Sequence, residues 1–237
     1  MVIEEHIGCA SCLKTRNSLL DGLSYNELCT LDKNRSLVHY NKGETIYKTG
    51  LKPYGLICLS RGKVKITKTG CNGKEQIVDL KKPVDFLGLR SLLNSKVYDD
   101  TATAIEDSEV CIIEKEDFFD VLKGNNAMAL RIIGDLSDQL GKLSSRVVNL
   151  TQKYLEGRLA EALILIHDVY GTMGSNNLVI NVQLKRADLA SLSNMTTANV
   201  IRTLSAFVKD KVISVNRRQI TILDLRRLQE MSRYKSV

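Results

Sequence analysis

The sequence predicts an α+β chain: an antiparallel β roll or barrel first, a long helix in the middle, and a winged helix-turn-helix at the end. Three observations carry this. Residues 37–114 are short alternating runs divided by Gly43, Gly50, Gly55, Gly62, Gly70 and Gly73. An apolar repeat then runs without a break from Ala129 to Tyr154. Last comes "RADLASLSNMTTANVIRTLSAF", residues 186 to 207, which starts as an amphipathic helix, loses step at Ser193 to Thr197, and resumes helical spacing at Val200.

Bulk composition narrows the function. The chain has 237 residues, enough for one large or two ordinary domains. Lys and Arg total 34 against 27 Asp and Glu, a net charge of +7 that favours an anionic partner, nucleic acid first. No apolar run reaches the length of a membrane span, and the acidic start "MVIEEHIG" has no apolar stretch like that of a secretion signal. Six scattered Cys without such a signal suggest reduced thiols, so the expected location is the cytoplasm.

Residues 1–36 read as a mostly helical lead-in, and residues 37–124 as the β-rich domain. Within it "KVKIT", "GCNG" and "KEQIVDL" form a hairpin, because Gly and Asn supply the positive φ of the turn. "SEVCIIE", residues 108–114, is a further strand. In the helix of residues 125–154, Ala129, Ile133, Leu136, Leu140, Leu143, Val147, Leu150 and Tyr154 are spaced 4, 3, 4, 3, 4, 3, 4. That a/d seam, about 38 Å long at 1.5 Å per residue, suits a second, parallel helix; a core helix packed within its own chain is the alternative. Gly141 costs ~1 kcal/mol of helix propensity in the seam.

The last domain, residues 155–237, opens with a helix over 156–170. The turn-rich break "GTMGSNN", the strand "LVINVQL", the interrupted helix pair and the hairpin "VISVNRRQITILDL" follow, then a last helix from Leu225 to Arg233. Asn194 can take the left-handed conformation that ends one helix, and the Thr196 hydroxyl can cap the next. On the second helix Val200, Leu204, Phe207 and Val208 form the buried face, and Ala198, Arg202, Ser205 and Lys209 the outward one. A small, polar, basic face suits a helix in a major groove, and Arg217 and Arg218 sit near the hairpin tip. An ordinary helical hairpin with a solvated face is the plain alternative.

Six stretches, "YNKGETIYKTG", "LICLSRGKVKI", "GKEQIVDL", "DFLGL", "NLTQKYLEGRLAEALILI" and "RADLASLSNMTTANVIRTLSAFVKDKVISVNRRQITI", taken in this order resemble the Crp/Fnr family of bacterial transcription regulators over residues 19–224. The resemblance implies a cyclic-nucleotide-binding-like jelly roll, a dimerisation helix and a winged helix on a palindromic operator, with RNA polymerase as a further partner. It implies DNA contacts at Arg186, Thr196, Thr197, Ala198, Asn199, Arg202, Lys209, Arg217 and Arg218. It places the dimer interface on Ala129, Ile133, Leu136, Leu140, Leu143, Val147 and Leu150.

The sequence also departs from the family pattern. Relatives that bind cyclic AMP carry Gly-Glu after the "DF" strand and Arg-Ser about ten residues on. Here Gly88-Leu89-Arg90 stands first, and the second place, near Tyr98 to Thr101, has no Arg and carries Asp99 and Asp100. A cyclic phosphate loses its charge-assisted partner there, so cyclic AMP is not the expected effector. The resemblance implies a pocket for an unidentified small effector at Gly88, Leu89, Arg90, Ser91, Leu143 and Ser144. Oxygen-sensing relatives hold a four-iron cluster on four Cys. Cys9, Cys12 and Cys111 match three of these, but the remaining place falls at Ser18, with Cys29 or His6 as substitutes. No cofactor is the expectation, with a Cys9/Cys12 redox dithiol and an iron–sulfur cluster as alternatives. Where many relatives read cytosine with Glu, this chain has Ala198, so its half-site differs.

Two other functional classes fit parts of the sequence. One is an effector-binding module that acts through a protein partner, its DNA-binding domain idle; the basic hairpin and Arg202 oppose it. The other is an enzyme on a cupin-like roll. That needs clustered His ligands, and only His6, His39 and His167 exist, so no enzyme is expected.

Overall fold

A computed structural model describes residues 19–173, 178–180 and 182–233. His6, Cys9, Cys12 and Ser18 lie outside them. The chain divides into two compact units: residues 1–66 with 81–140, and residues 67–80 with 141–237.

In the first unit, α1 (Tyr25–Lys33) begins at a capping box, in which the Glu27 carboxylate accepts from the Ser24 N–H at 2.7 Å. This is the only helix described in the lead-in, and residues 19–22 form a turn. Strands β1 (Ser36–Tyr40), β2 (Thr45–Tyr47), β3 (Gly55–Arg61) and β4 (Val64–Thr69) follow. After them come β5 (Glu75–Lys81), β6 (Phe86–Leu87), the short α2 (Leu89–Leu93), β7 (Thr101–Ala104) and β8 (Ser108–Glu114). All neighbours in the first sheet are antiparallel, in the order β1-β8-β3-β6, so the expected roll is present. A second sheet starts β2-β7-β4, and β4 runs on into the second unit, where it turns back as β5. That turn is the expected Gly70 to Gly73 hairpin: Gly70 N–H donates to Lys74 O at 2.9 Å, and Gly73 has φ +75°.

The core of this unit lies between the first sheet and its helices. Leu56, Cys58, Cys111 and Ile113 from β3 and β8 meet Leu31 of α1 and Phe118 and Val121 of α3 (Lys115–Gly124). Met128 and Ile132, from the start of the long helix α4 (Asn126–Gln152), join the same core. The Asn125 side chain opens α4 by accepting from Met128 N–H at 2.9 Å.

In the second unit, α5 (Leu155–Tyr170) supplies the buried Leu159, Leu163, Ile166 and Tyr170. The chain then forms β9 (Gly171–Met173) and β10 (Leu178–Ile180), helices α6 (Arg186–Ser193) and α7 (Thr197–Lys209), strands β11 (Ile213–Asn216) and β12 (Gln219–Ile222), and α8 (Leu225–Arg233). Its sheet has the order β11-β12-β10-β9. Gly171–Met173, expected as part of a break, is a strand because it pairs with β10. Among the described residues no helix is long and apolar enough to cross a membrane.

Candidate nucleic-acid interface

The interface starts at the corner between α6 and α7. Asn194 takes φ 50°, ψ 53°, the left-handed cap, and its N–H reaches back to Ser191 O. Thr196 caps α7 by accepting from Asn199 N–H at 3.2 Å. Arg158 of α5 donates to Asn194 O at 3.0 Å and braces the corner. At the other end of α6, Asp188 accepts from Lys185 N–H at 3.0 Å.

With both ends fixed, α7 buries Val200, Thr203, Leu204 and Phe207. Val208, expected on that face, is 41% exposed, because the buried stripe closes on Phe207. Thr197, Ala198, Arg202, Ser205 and Lys209 are exposed, and Asn199 is half-buried. Ile201 is also half exposed, beside Arg202. The sequence reading missed it, although its helical phase with Ala198 and Ser205 signals the outward face. The wing is the β11–β12 hairpin, with Asn216 opposite Gln219 and both Arg217 and Arg218 exposed at the turn. Arg217 sits at φ +55°. Arg186 is not on the open surface: it is half-buried and donates to Arg217 O at 3.3 Å, so it steadies the wing.

A guanidinium fixes where this helix pair sits in its unit. Arg146, half-buried on α4, donates to Val78 O at 2.6 Å, Ile77 O at 2.7 Å and Leu192 O at 3.1 Å. It therefore joins β5, α4 and α6. Burial pulls its pKa down from the usual arginine value, opposed by the charges of Asp79 and Glu161. Ser191 completes the join: its Oγ accepts from Ile77 N–H at 2.7 Å and donates to Glu75 O at 3.0 Å, and Gln76 donates to Ser191 O.

The exposed seam lies on α4. Ile133, Leu140, Leu143 and Val147 are 58%, 66%, 50% and 62% exposed. Leu136 instead packs on the core of the first unit, and Ala129 and Leu150 are half-buried, because one side of the expected seam faces the chain's own residues. Leu130, at 68% exposed, widens the open stripe and was not anticipated.

The expected effector residues divide between the units. In the first, Gly88 has φ +67°, and a Cβ there would strike the ring of Tyr98. Tyr98 is buried and stacks on Tyr47 with centroids 3.9 Å apart; the Tyr47 hydroxyl donates to Asp100 at 2.8 Å. Burial raises both phenols above the ordinary tyrosine pKa. Leu89 and Ser91 are buried, whereas Arg90 is exposed and paired with Asp99 and Asp100. Leu143 and Ser144 are exposed on α4 in the second unit. Cys29 is exposed on α1 and Cys111 buried on β8, and among the described residues no group of three or more His, Cys, Asp or Glu is arranged to hold a metal ion.

Comparison with known proteins agrees with this architecture. Residues 37–125 match the family model of the cyclic nucleotide-binding domain, and residues 157–231 that of the Crp-like helix-turn-helix domain, together more than half of the chain. The chain is 25% identical to the transcriptional regulatory protein btr of Bordetella pertussis over 94% of its own length and 92% of that protein's. It is 21% identical to a CRP-like cAMP-activated global transcriptional regulator of Mycobacterium tuberculosis, over 92% and 97%. The solved structure of FixK2 from Bradyrhizobium japonicum shares the fold, with TM-score 0.74, 20% identity, and coverage of 85% of this chain and 99% of that one.

Replacing Arg146 by Ala leaves the carbonyls of Ile77, Val78 and Leu192 without their donor. Equilibrium denaturation is expected to show a loss of about 2–4 kcal/mol, roughly 1 kcal/mol for each of the three hydrogen bonds lost. Lys at this position recovers only part of it, since an ammonium lacks the planar fork.

Proposed function

The chain belongs to the Crp/Fnr family of DNA-binding transcriptional regulators, and from that premise we propose a cytoplasmic homodimer that reads an inverted-repeat operator through α7 under a signal other than cyclic AMP. The observation that carries this is the outward face of α7. Thr197, Ala198, Ile201, Arg202 and Ser205 form a small, methyl-bearing face with one long cation, exposed between the corner and the wing. Such a face fits a major groove about 12 Å wide. Arg202 reads a base edge, with guanine the best match for a guanidinium, and the methyls of Thr197, Ala198 and Ile201 tolerate thymine. Lys209, Arg217 and Arg218 hold phosphates and set register. Thr196, Asn199 and Arg186 act on the DNA indirectly, as cap, first turn and wing support.

The dimer reading is supported by the four exposed seam residues on one stripe of α4, in heptad phase. Two copies of α7 related by the dimer axis then meet successive major grooves, with half-sites about one helical turn apart, ~34 Å. RNA polymerase is the onward partner this reading implies. The choice against cyclic AMP is supported by the Tyr98 ring against Gly88, and by Arg90 being neutralised by two carboxylates.

Leu140→Asp with Leu143→Asp is expected to give monomer in sedimentation and to abolish operator binding, because two carboxylates in a dry interface cost several kcal/mol. An unchanged dimer would remove the seam.

Titration calorimetry with cyclic AMP is expected to show no binding at micromolar concentrations; a micromolar Kd would overturn the exclusion.

A binding selection on randomised DNA tests the DNA reading itself. Arg202→Ala is expected to cost ~1–3 kcal/mol and to relax one position per half-site. Arg217→Ala is expected to weaken all sequences alike and to lower the salt slope by roughly 1 per lost phosphate contact. If Arg202→Ala keeps its base preferences while Arg217→Ala changes them, reader and anchor are reversed.

A further inference from the structure

Two of the chain's thiols face each other inside the first unit. Cys58 of β3 and Cys111 of β8 are directly opposed in the antiparallel register. Directly opposed residues project from the same side of a sheet. Their Cα atoms are about 4.5–5.5 Å apart, inside the 4.4–6.8 Å range that a disulfide spans. Both are thiols, 2% and 5% exposed. A second, independent observation distinguishes them. The Arg35 guanidinium, paired through Nε with Asp32 at 2.5 Å, turns its Nη1 to the Cys111 Sγ at 3.8 Å. The cation offsets part of the cost of placing negative charge on a sulfur that is buried in apolar surroundings.

We propose that Cys58 and Cys111 are a cross-strand redox pair that closes to a disulfide in response to a peroxide. The Cys111 thiolate attacks one peroxide oxygen. The O–O bond breaks, the other oxygen leaves as hydroxide and takes up a proton to become water, and Cys111 becomes a sulfenic acid. Cys58 gives its proton to the sulfenic oxygen, its sulfur attacks the Cys111 sulfur, and a second water leaves. Two thiols and one hydrogen peroxide thus become one disulfide and two waters. The same core contains Met128 and Ile132 from the first turns of α4, so a bond that fixes the Cys58 and Cys111 side chains alters the packing on which α4 is seated. Cys58 was not marked as functional in the sequence, because only strand register sets it against Cys111.

The test uses the full-length protein, reduced, freed of reductant, treated with one equivalent of hydrogen peroxide, then alkylated, digested and mapped by mass. The expected result is a peptide pair joined through Cys58 and Cys111, lighter by two hydrogens and reopened by dithiothreitol. Cys58→Ala leaves Cys111 as a trappable sulfenic acid, and Arg35→Ala slows loss of the Cys111 thiol without changing its partner. Hydrogen exchange over residues 126–136 is expected to differ between oxidised and reduced protein, and not in Cys58→Ala. These readouts need no DNA, so failure here is separate from failure of the operator reading. The pair is overturned if both thiols survive excess peroxide in the native protein, if either joins Cys9 or Cys12 instead, or if both are withheld from alkylation by bound iron. Exchange unchanged by the bond overturns its effect on α4.

Discussion

A guanidinium taken out of water must find an acceptor for most of its N–H groups or the fold loses more than it gains. Arg146 meets this with three carbonyls from two elements, on β5 and on α6, while standing on a third, α4. The second unit depends on that constraint. A carbonyl is a directional acceptor, and a planar fork serves three of them only in a narrow range of arrangements. Ser191 adds a donor and an acceptor to the same strand, so α6 is aligned along β5 rather than merely packed against it. Helix α7 inherits the alignment through the corner at Asn194 and Thr196, which are the caps of α6 and α7.

The long helix has two duties. Its first turns complete a core, with Met128 and Ile132 buried and Leu136 packed behind them. Farther on, Leu140, Leu143 and Val147 stand in the open. A helix with apolar residues at every a and d position has more greasy surface than one neighbour can cover. Part of that surface closes the chain's own core, and the rest stands open on the outer side of the helix.

What the sequence made legible was local. The Gly and Asn turn, the left-handed Asn194, the Thr196 cap and the Arg-tipped hairpin all depend on the chemistry of a few adjacent residues, and the structure has them. The heptad spacing was equally plain, yet it does not say which side of the stripe meets the home core, and so Leu136 and Leu130 exchanged expected places. Val208 failed for a similar reason: helical phase places it beside the buried face, and only packing shows where the cover ends. Gly171–Met173 reads as a break because it runs straight into the turn-forming Gly174, Ser175, Asn176 and Asn177 of the sequence; its partner β10 makes it a strand. Arg146 was invisible, since its acceptors lie 46 to 69 residues away and every residue has a carbonyl. Around Gly88 the sequence revealed which phosphate partners were missing, but not that Tyr98 had taken the space.

That occupied space has a use in protein engineering. Tyr98 is an aromatic ring held by stacking on Tyr47 and by the absence of a side chain at Gly88. Its buried hydroxyl has no hydrogen-bond partner among the described residues. The ring is therefore kept in place by shape far more than by polar bonding. Trimming it to Ala would leave a phenol-shaped hole beside a carboxylate, and a small aromatic additive could fill that hole and restore the packing. A regulator with a filled roll is thus a scaffold for an orthogonal, chemically controlled switch, in which the designer chooses the inducer by choosing which ring to remove.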